Sequence, residues 1–345
     1  MKSFLRAILK HIRFYLSPVY QQLQMTKGKR RILLLNTPLH GNLGDAAIVL
    51  AERKFLDERT ELPWLEVTQE DLIYFDELIW GRIQPGDILA LQGGGSIGTL
   101  WPLEQQVISN ILSRFSQNKI VVFPQTMYFS ADAEGEKIRV EFKEKAENCR
   151  DLTIFFRDAR SYELAKTFLD ETKLNFFLTP DIVTYFDPMP AAEKKDQILI
   201  CFRSDLEGVV DEKIKDRIHG FAKSMGAQVM VTDTQVLKML TIDGRGEDVQ
   251  KKLLEFGQAR LVITDRIHGM LFAAIAGTPC IALDNISKKV SGARTWINYL
   301  PYVQMATEES LSVDMMQTFY QFSDCRFDHE QLEKYYKTIA QTFAS

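Results

Sequence analysis

Short aliphatic runs recur along this chain, each ending in a loop with glycine or charge and each followed by a stretch of helical periodicity. RILLLN (31–36), GDILALQ (86–92), KIVVF (119–123), LTIFF (152–156), QILICF (197–202), RLVIT (260–264) and PCIAL (279–283) have no regular polar alternation. Strands of that kind are covered on both faces, as in parallel sheets whose crossover connections are helices. The chain is therefore expected to be α/β. The segment 187–196 (DPMPAAEKKD) holds two prolines and no periodicity, so it reads as a linker between two such series. The expected organisation is a leader helix at 1–30, a Rossmann-like domain at 31–190, a second at 191–325 and a terminal helix at 326–345. The two domains are expected to face each other across a cleft, with ligands beyond the carboxyl ends of the strands.

Composition narrows the function classes. The chain has 345 residues, and its longest uninterrupted apolar run, 270–276, is far short of the roughly 20 residues of a membrane-spanning helix. The net charge of −4 argues against general nucleic-acid binding. The first 31 residues depart from that balance, with eight basic residues (Lys2, Arg6, Lys10, Arg13, Lys27, Lys29, Arg30, Arg31) and no acidic one. Phe4, Leu5, Ile8, Leu9, Ile12 and Leu16 fall on one helical face there. Two readings follow: a helix packed on the body, or a basic amphipathic helix touching an anionic membrane surface. Four cysteines without CxxC spacing read as thiols in a reducing compartment, and no signal-peptide pattern is present. The expected location is cytoplasmic, with peripheral attachment to the inner face of the membrane under the second reading.

Three post-strand loops carry the candidate chemistry. In His40-Gly41-Asn42-Leu43-Gly44-Asp45, Gly41 and Gly44 permit close backbone approach. Asp45 reads either as the cap of the next helix or as a carboxylate accepting a hydroxyl. Gly93, Gly94 and Gly95, followed by Ser96, read as an anion nest or as a tight turn. Thr264-Asp265-Arg266-Ile267-His268-Gly269 stands between a strand and a helix, so Arg266, a helix N-terminus and His268 can converge on an anion. The string DRIHG also occurs at 216–220, inside an amphipathic stretch, where Arg217 and His219 read as solvated helix residues. Arg157, Asp181, Arg203, Lys288, Lys289 and Arg294 are further strand-end candidates. No spacing of His, Cys and Asp suggests a metal, and neither GxGxxG nor a Walker loop is present, so no cofactor is expected.

Taken together, NTPLHGNLGDAAI, LALQGGGSIGTLW, VVFPQT, FFRDARSYELA, LTPDIV and LVITDRIHGMLFAAIAGTPCIALDN resemble the polysaccharide pyruvyl transferase family. The resemblance runs from residue 31 to about 298. It implies a two-domain fold similar to glycosyltransferase-B, with Arg266 and His268 central to catalysis and the 41–45 loop at the site. In the loop 285–296 the relatives of this pattern have Tyr-Gly-Lys, where this chain has Ile-Ser-Lys-Lys, with Lys288 or Lys289 in the place of that lysine.

The implied activity is transfer of a pyruvyl group from phosphoenolpyruvate to two hydroxyls of a sugar, free or on a lipid-linked oligosaccharide, giving a cyclic ketal. The donor brings a carboxylate and a phosphate, which call for Arg, Lys and helix N-termini. Ketal formation needs a proton at the methylene carbon and a base for each hydroxyl. His268 is the expected proton donor, Arg266 the anion ligand and Asp45 the hydroxyl acceptor. The competing expectations are a sugar-nucleotide glycosyltransferase of the same architecture and a non-catalytic scaffold on the membrane surface. The oligomeric state is not legible.

Overall fold

A computed structural model describes residues 2–203, 211–284 and 288–344, with the side chains of residues 2–5 and 7 outside that description. Lys2, Phe4 and Leu5 of the leader face, and Asn285, Ile286 and Ser287 of the lysine loop, are thereby left out as side chains or altogether.

The chain divides into two compact units: residues 1–39, 48–182 and 335–345 form the first, and residues 40–47 and 183–334 the second. The first holds α1 (Lys2–Tyr15), α2 (Pro18–Met25), β1 (Ile32–Thr37), most of α3 (Leu43–Arg59), β2 (Trp64–Thr68), α4 (Gln69–Trp80), β3 (Ile88–Leu91), β4 (Gly94–Gly98), α5 (Pro102–Arg114), β5 (Lys119–Tyr128), α6 (Ala133–Glu147), β6 (Asp151–Phe156), α7 (Ala159–Phe168) and β7 (Asn175–Leu178). Its sheet runs β2-β1-β3-β5-β6-β7, with β4 paired to β5, and every pairing is parallel. All six residues of β1 are buried, the two-faced cover that its unbroken aliphatic run requires.

The second unit holds β8 (Gln197–Cys201), α8 (Glu212–Met225), β9 (Gln228–Val231), α9 (Arg245–Gln258), β10 (Leu261–Thr264), α10 (Ile267–Ile275), β11 (Cys280–Leu283), α11 (Lys289–Arg294), β12 (Val303–Ala306) and α12 (Val313–Tyr320). α13 (Glu333–Ala344) closes the chain, with its residues from 335 onward in the first unit. The second sheet, β12-β11-β10-β8-β9, is also parallel throughout. Two α/β units with parallel sheets and separate apolar cores bear out the expected fold class.

Three local outcomes differ from the sequence reading. β5 does not stop at Pro124 but continues to Tyr128. Its ladder to β6 skips from Val122 to Gln125, so the residue without an N–H sits at an irregularity, where its missing donor is tolerated. The chain divides between residues 182 and 183, ahead of the linker. Residues 40–47 also leave the unit that surrounds them in sequence and join the other.

The leader is packed rather than loose. Phe14 is fully buried, with the rings of Tyr20 and Phe75 at 5.3 and 5.4 Å and the Arg82 guanidinium 4.7 Å above it. Val19 and Leu23 enter the same core. Arg31 fixes the end of the leader by donating to Leu23 O, Thr26 Oγ1, Arg82 O and the buried Asp87 carboxylate. Among the described residues no helix is long and apolar enough to cross a membrane.

Candidate functional site

β10 ends at Thr264, whose hydroxyl donates to Cys201 O (2.6 Å) on β8 and accepts from Arg266 N (3.1 Å). That turn ends the strand and starts α10 at Ile267, so His268 lies in the first helical turn rather than in a loop. No side chain caps α10, whereas Thr68, Asp132, Asp158 and Ser312 cap α4, α6, α7 and α12. α10 thus starts without a side-chain cap at Arg266, and a helix N-terminus of that kind favours an anion.

Arg266 is nearly buried, and its Nη2 lies 2.7 and 2.8 Å from the two oxygens of Asp233. Its Nε is buried without a hydrogen-bond partner among the described residues. One edge of the fork is therefore fixed by a carboxylate and another donor remains for an anion. Asp265 accepts Arg203 N at 2.8 Å, and burial pushes its carboxyl above the ordinary range. Burial likewise drives the Cys201 thiol up to about 12, so it is no nucleophile near neutral pH.

The 40–45 loop completes the group from within the same unit. Leu43 N donates to Thr234 O and Val236 N to Gly41 O, each at 2.8 Å, as Asn42 bridges Gln235. A Cβ on Gly41 would run into Val236 O, and one on Gly44 into the His268 ring. Only glycine lets this loop lie against both. Asn42 then organises the turn: Oδ1 accepts Gly44 N (3.0 Å) and Nδ2 donates to Asp45 Oδ2 (2.8 Å). Asp45 is not the helix cap but lies inside the first turn of α3, with His40 Nε2 3.7 Å from its Oδ2. Gly41, Asn42, Gly44, Asp45, Arg266 and His268 thus belong to one local assembly.

The other sequence candidates fall elsewhere. In the first unit Gly93 N donates to Glu52 Oε1 (2.6 Å) and Ser96 N to Gln125 Oε1 (2.9 Å), while Gly94 and Gly95 belong to strand β4. The expected anion nest is thus corrected at two of its donors: they are spent inside the fold because the segment is a strand paired to β5. Arg157 donates to Asp181 Oδ2 (2.7 Å) and Thr126 Oγ1 (2.9 Å), a buried ion pair. In the second unit Lys288 has φ 54° at the head of α11 and is exposed, Lys289 is half-buried, and Arg294 donates to Leu300 O (3.5 Å). α11 packs on α10. Arg217 lies on α8 with its guanidinium on Glu308 O and Leu311 O, and His219 is exposed on the same helix, as the surrounding periodicity implied.

Sequence reasoning missed Asp233 and His40. Asp233 stands just after β9, and the strand-end rule points to it. His40 was inside the quoted loop, and only the turn at Asn42 brings it to Asp45. Among the described residues no group of three or more His, Cys, Asp or Glu is arranged to hold a metal ion.

Comparison with known proteins adds the following. The pattern of the family described as "Polysaccharide pyruvyl transferase" matches residues 42–287, well over half of the chain. General stress protein 30 of Bacillus subtilis is 29% identical over 84% of this chain and 84% of its own length. Pyruvyl transferase 1 of Schizosaccharomyces pombe is 27% identical over 79% of this chain and 71% of its own. A functionally uncharacterised Klebsiella pneumoniae protein superimposes with a TM-score of 0.56 at 18% identity, over 84% of this chain and 99% of its own, a likeness of fold alone.

Proposed function

The chain belongs to the polysaccharide pyruvyl transferase family, and on that premise we propose that it transfers the pyruvyl group of phosphoenolpyruvate to two hydroxyls of a sugar. The product is a cyclic ketal on an exopolysaccharide or cell-wall glycan, or on its lipid-linked precursor. The observation that carries the reading is the pairing of an uncapped α10 N-terminus with Arg266, whose Nε has no acceptor among the described residues. A donor with both phosphate and carboxylate answers that arrangement.

The residues divide the work as follows. Arg266, oriented by Asp233, and the first N–H groups of α10 hold an anionic group of the donor. His268 delivers a proton to the methylene carbon, turning CH2= into CH3 and leaving an oxocarbenium-like centre at the adjoining carbon. One sugar hydroxyl attacks that centre and gives up its proton to Asp45 or water. A second hydroxyl of the same sugar then bonds to that carbon as phosphate departs with the C–O bonding pair, and its proton passes to the leaving phosphate or to water. Proton transfer by placed side chains of this kind contributes about 10²–10⁴-fold. Gly44 brings the 41–45 loop against the His268 ring, so acid and acceptor are held by one packing contact. Lys288, Lys289, Arg294 and Arg203 are proposed as further anion or acceptor contacts of the second unit.

The test is phosphate release from phosphoenolpyruvate across a panel of saccharides, with mass spectrometry of the products. A saccharide that gains a pyruvyl mass in step with phosphate supports the reading. Turnover of a nucleotide sugar, with phosphoenolpyruvate untouched, replaces it with glycosyl transfer.

A further inference from the structure

Among the described side chains of α1 only Phe14 is buried. Phe14 carries the contact with the body, supported by the ion pair from Lys10 to Asp76 (3.3 Å) on α4. Ile8, Leu9, Ile12 and Leu16 recur at helical spacing on the opposite side, where they are 39%, 52%, 49% and 74% exposed. Tyr15 is exposed beside them, and α4, packed against α1 through Phe14 and Phe75, adds exposed Ile73 and Tyr74. A helix held on a globular body ordinarily turns its apolar stripe inward. Here Ile8, Leu9, Ile12 and Leu16 face out, and clustered exposed apolar side chains of that sort mark an interaction site.

Its charge identifies the partner. The leader has eight basic residues and no acidic one before residue 32. Lys10 is answered by Asp76 and Arg31 by Asp87, while Arg6, Arg13, Lys27 and Lys29 are exposed. The acidic Glu77 on α4 is engaged by Arg114 (2.6 Å). A second copy of this chain would bring the same positive surface against itself. An anionic lipid surface accepts aliphatic side chains below its headgroups and basic ones among them. The leader also lies ahead of residues 42–287, the part matched by the family pattern, so nothing in that match accounts for it.

We propose that the outward face of α1 docks the protein on an anionic membrane surface, with Ile8, Leu9, Ile12 and Leu16 entering the interface and Arg6 and Arg13 meeting the headgroups. The inference does not depend on the transferase reading. Because α1 is fastened to the first unit through Phe14, Lys10 and the Arg31–Asp87 pair, the surface is a fixed platform rather than a tether. Removing residues 1–26 would open the core and is therefore a poor test. Substitutions at exposed positions leave that packing alone.

The experiment is co-sedimentation of the full-length protein with phosphatidylcholine vesicles with and without phosphatidylglycerol. Melting temperature and circular dichroism serve as folding controls. The wild-type protein should bind only the phosphatidylglycerol vesicles and release as salt rises. Leu9→Glu with Ile12→Glu should weaken binding by about tenfold or more while melting unchanged. Arg6→Glu with Arg13→Glu should weaken it chiefly at low salt. Absence of wild-type binding, or equal binding by the Leu9/Ile12 variant, overturns the proposal. So does a lipid-free dimer, seen by light scattering, that the same variant dissolves, since the face would then join two copies of the chain.

Discussion

At the scale of the residue, chemistry rests on context more than on type. The string DRIHG occurs twice, and only the copy beginning at Asp265 follows a strand, leaving one Arg266 donor without an acceptor among the described residues. Arg266→Lys should lose about 2–4 kcal/mol of transition-state stabilisation, because a point charge cannot hold Asp233 and an anion at once. Steady-state kinetics with unchanged melting checks this, and His219→Ala on α8 is the neutral control. Gly44→Ala should lower turnover about 100-fold by pressing a methyl into the His268 ring, and wild-type turnover in that variant would remove the ring from the mechanism. Asp265 supplies a pH test. Its folded carboxyl titrates above the ordinary 3.8, so the native state keeps a proton that the unfolded chain has lost. That difference penalises the native state above the raised value, and the penalty fades as pH falls toward 3.8. Wild type should therefore gain on Asp265→Asn in melting temperature between pH 7 and about pH 4; a gap moving the other way contradicts the assignment. Arg266, His268 and the 41–45 loop were legible because each follows a strand. Asp233 and His40 were not singled out, since their importance depends on a partner distant in sequence or on the fold of a turn.

At the scale of the element, strands were easier to read than helices. LTIFF and LVIT fall in β6 and β10, buried parallel strands whose aliphatic runs mark them directly, whereas β9 is the largely exposed edge of its sheet. α4 carries its start signal in the sequence, since Thr68 and Asp71 form a reciprocal capping box there. α3 and α10 begin at Leu43 and Ile267, where hydrogen bonds at Asn42 and Thr264 set the first turn. The leader gave both of its readings at once, a packed face and an exposed one, and periodicity alone cannot assign them. Phe14→Ala should cost about 3–5 kcal/mol, the range for a fully buried phenylalanine, whereas Ile12→Ala should be nearly neutral in denaturant titration. Comparable losses at both positions would mean that the outward face of α1 is in fact buried.

At the scale of the whole molecule, two parallel-sheet units and the family were legible from the order of the post-strand loops. The division of the chain was not. A composition shift marks 187–196 as the linker, yet the units part at 182 and the second also claims residues 40–47. The reason is the pairing of Asn42 with Gln235 and of Gly41 with the 236–238 backbone, contacts between residues nearly two hundred apart. That long-range pairing brings the glycine loop to Arg266 and His268, and the account stands or falls on what His268 does there. The direct measurement is mass spectrometry of the pyruvylated saccharide formed from phosphoenolpyruvate in heavy water, by wild type and by His268→Gln. The account predicts one solvent deuterium in the pyruvyl methyl group for the wild type, and a His268→Gln enzyme that binds phosphoenolpyruvate with turnover down about 100-fold or more. A His268→Gln enzyme with wild-type kcat and a raised KM would contradict it, leaving His268 an anion ligand and the proton to another group.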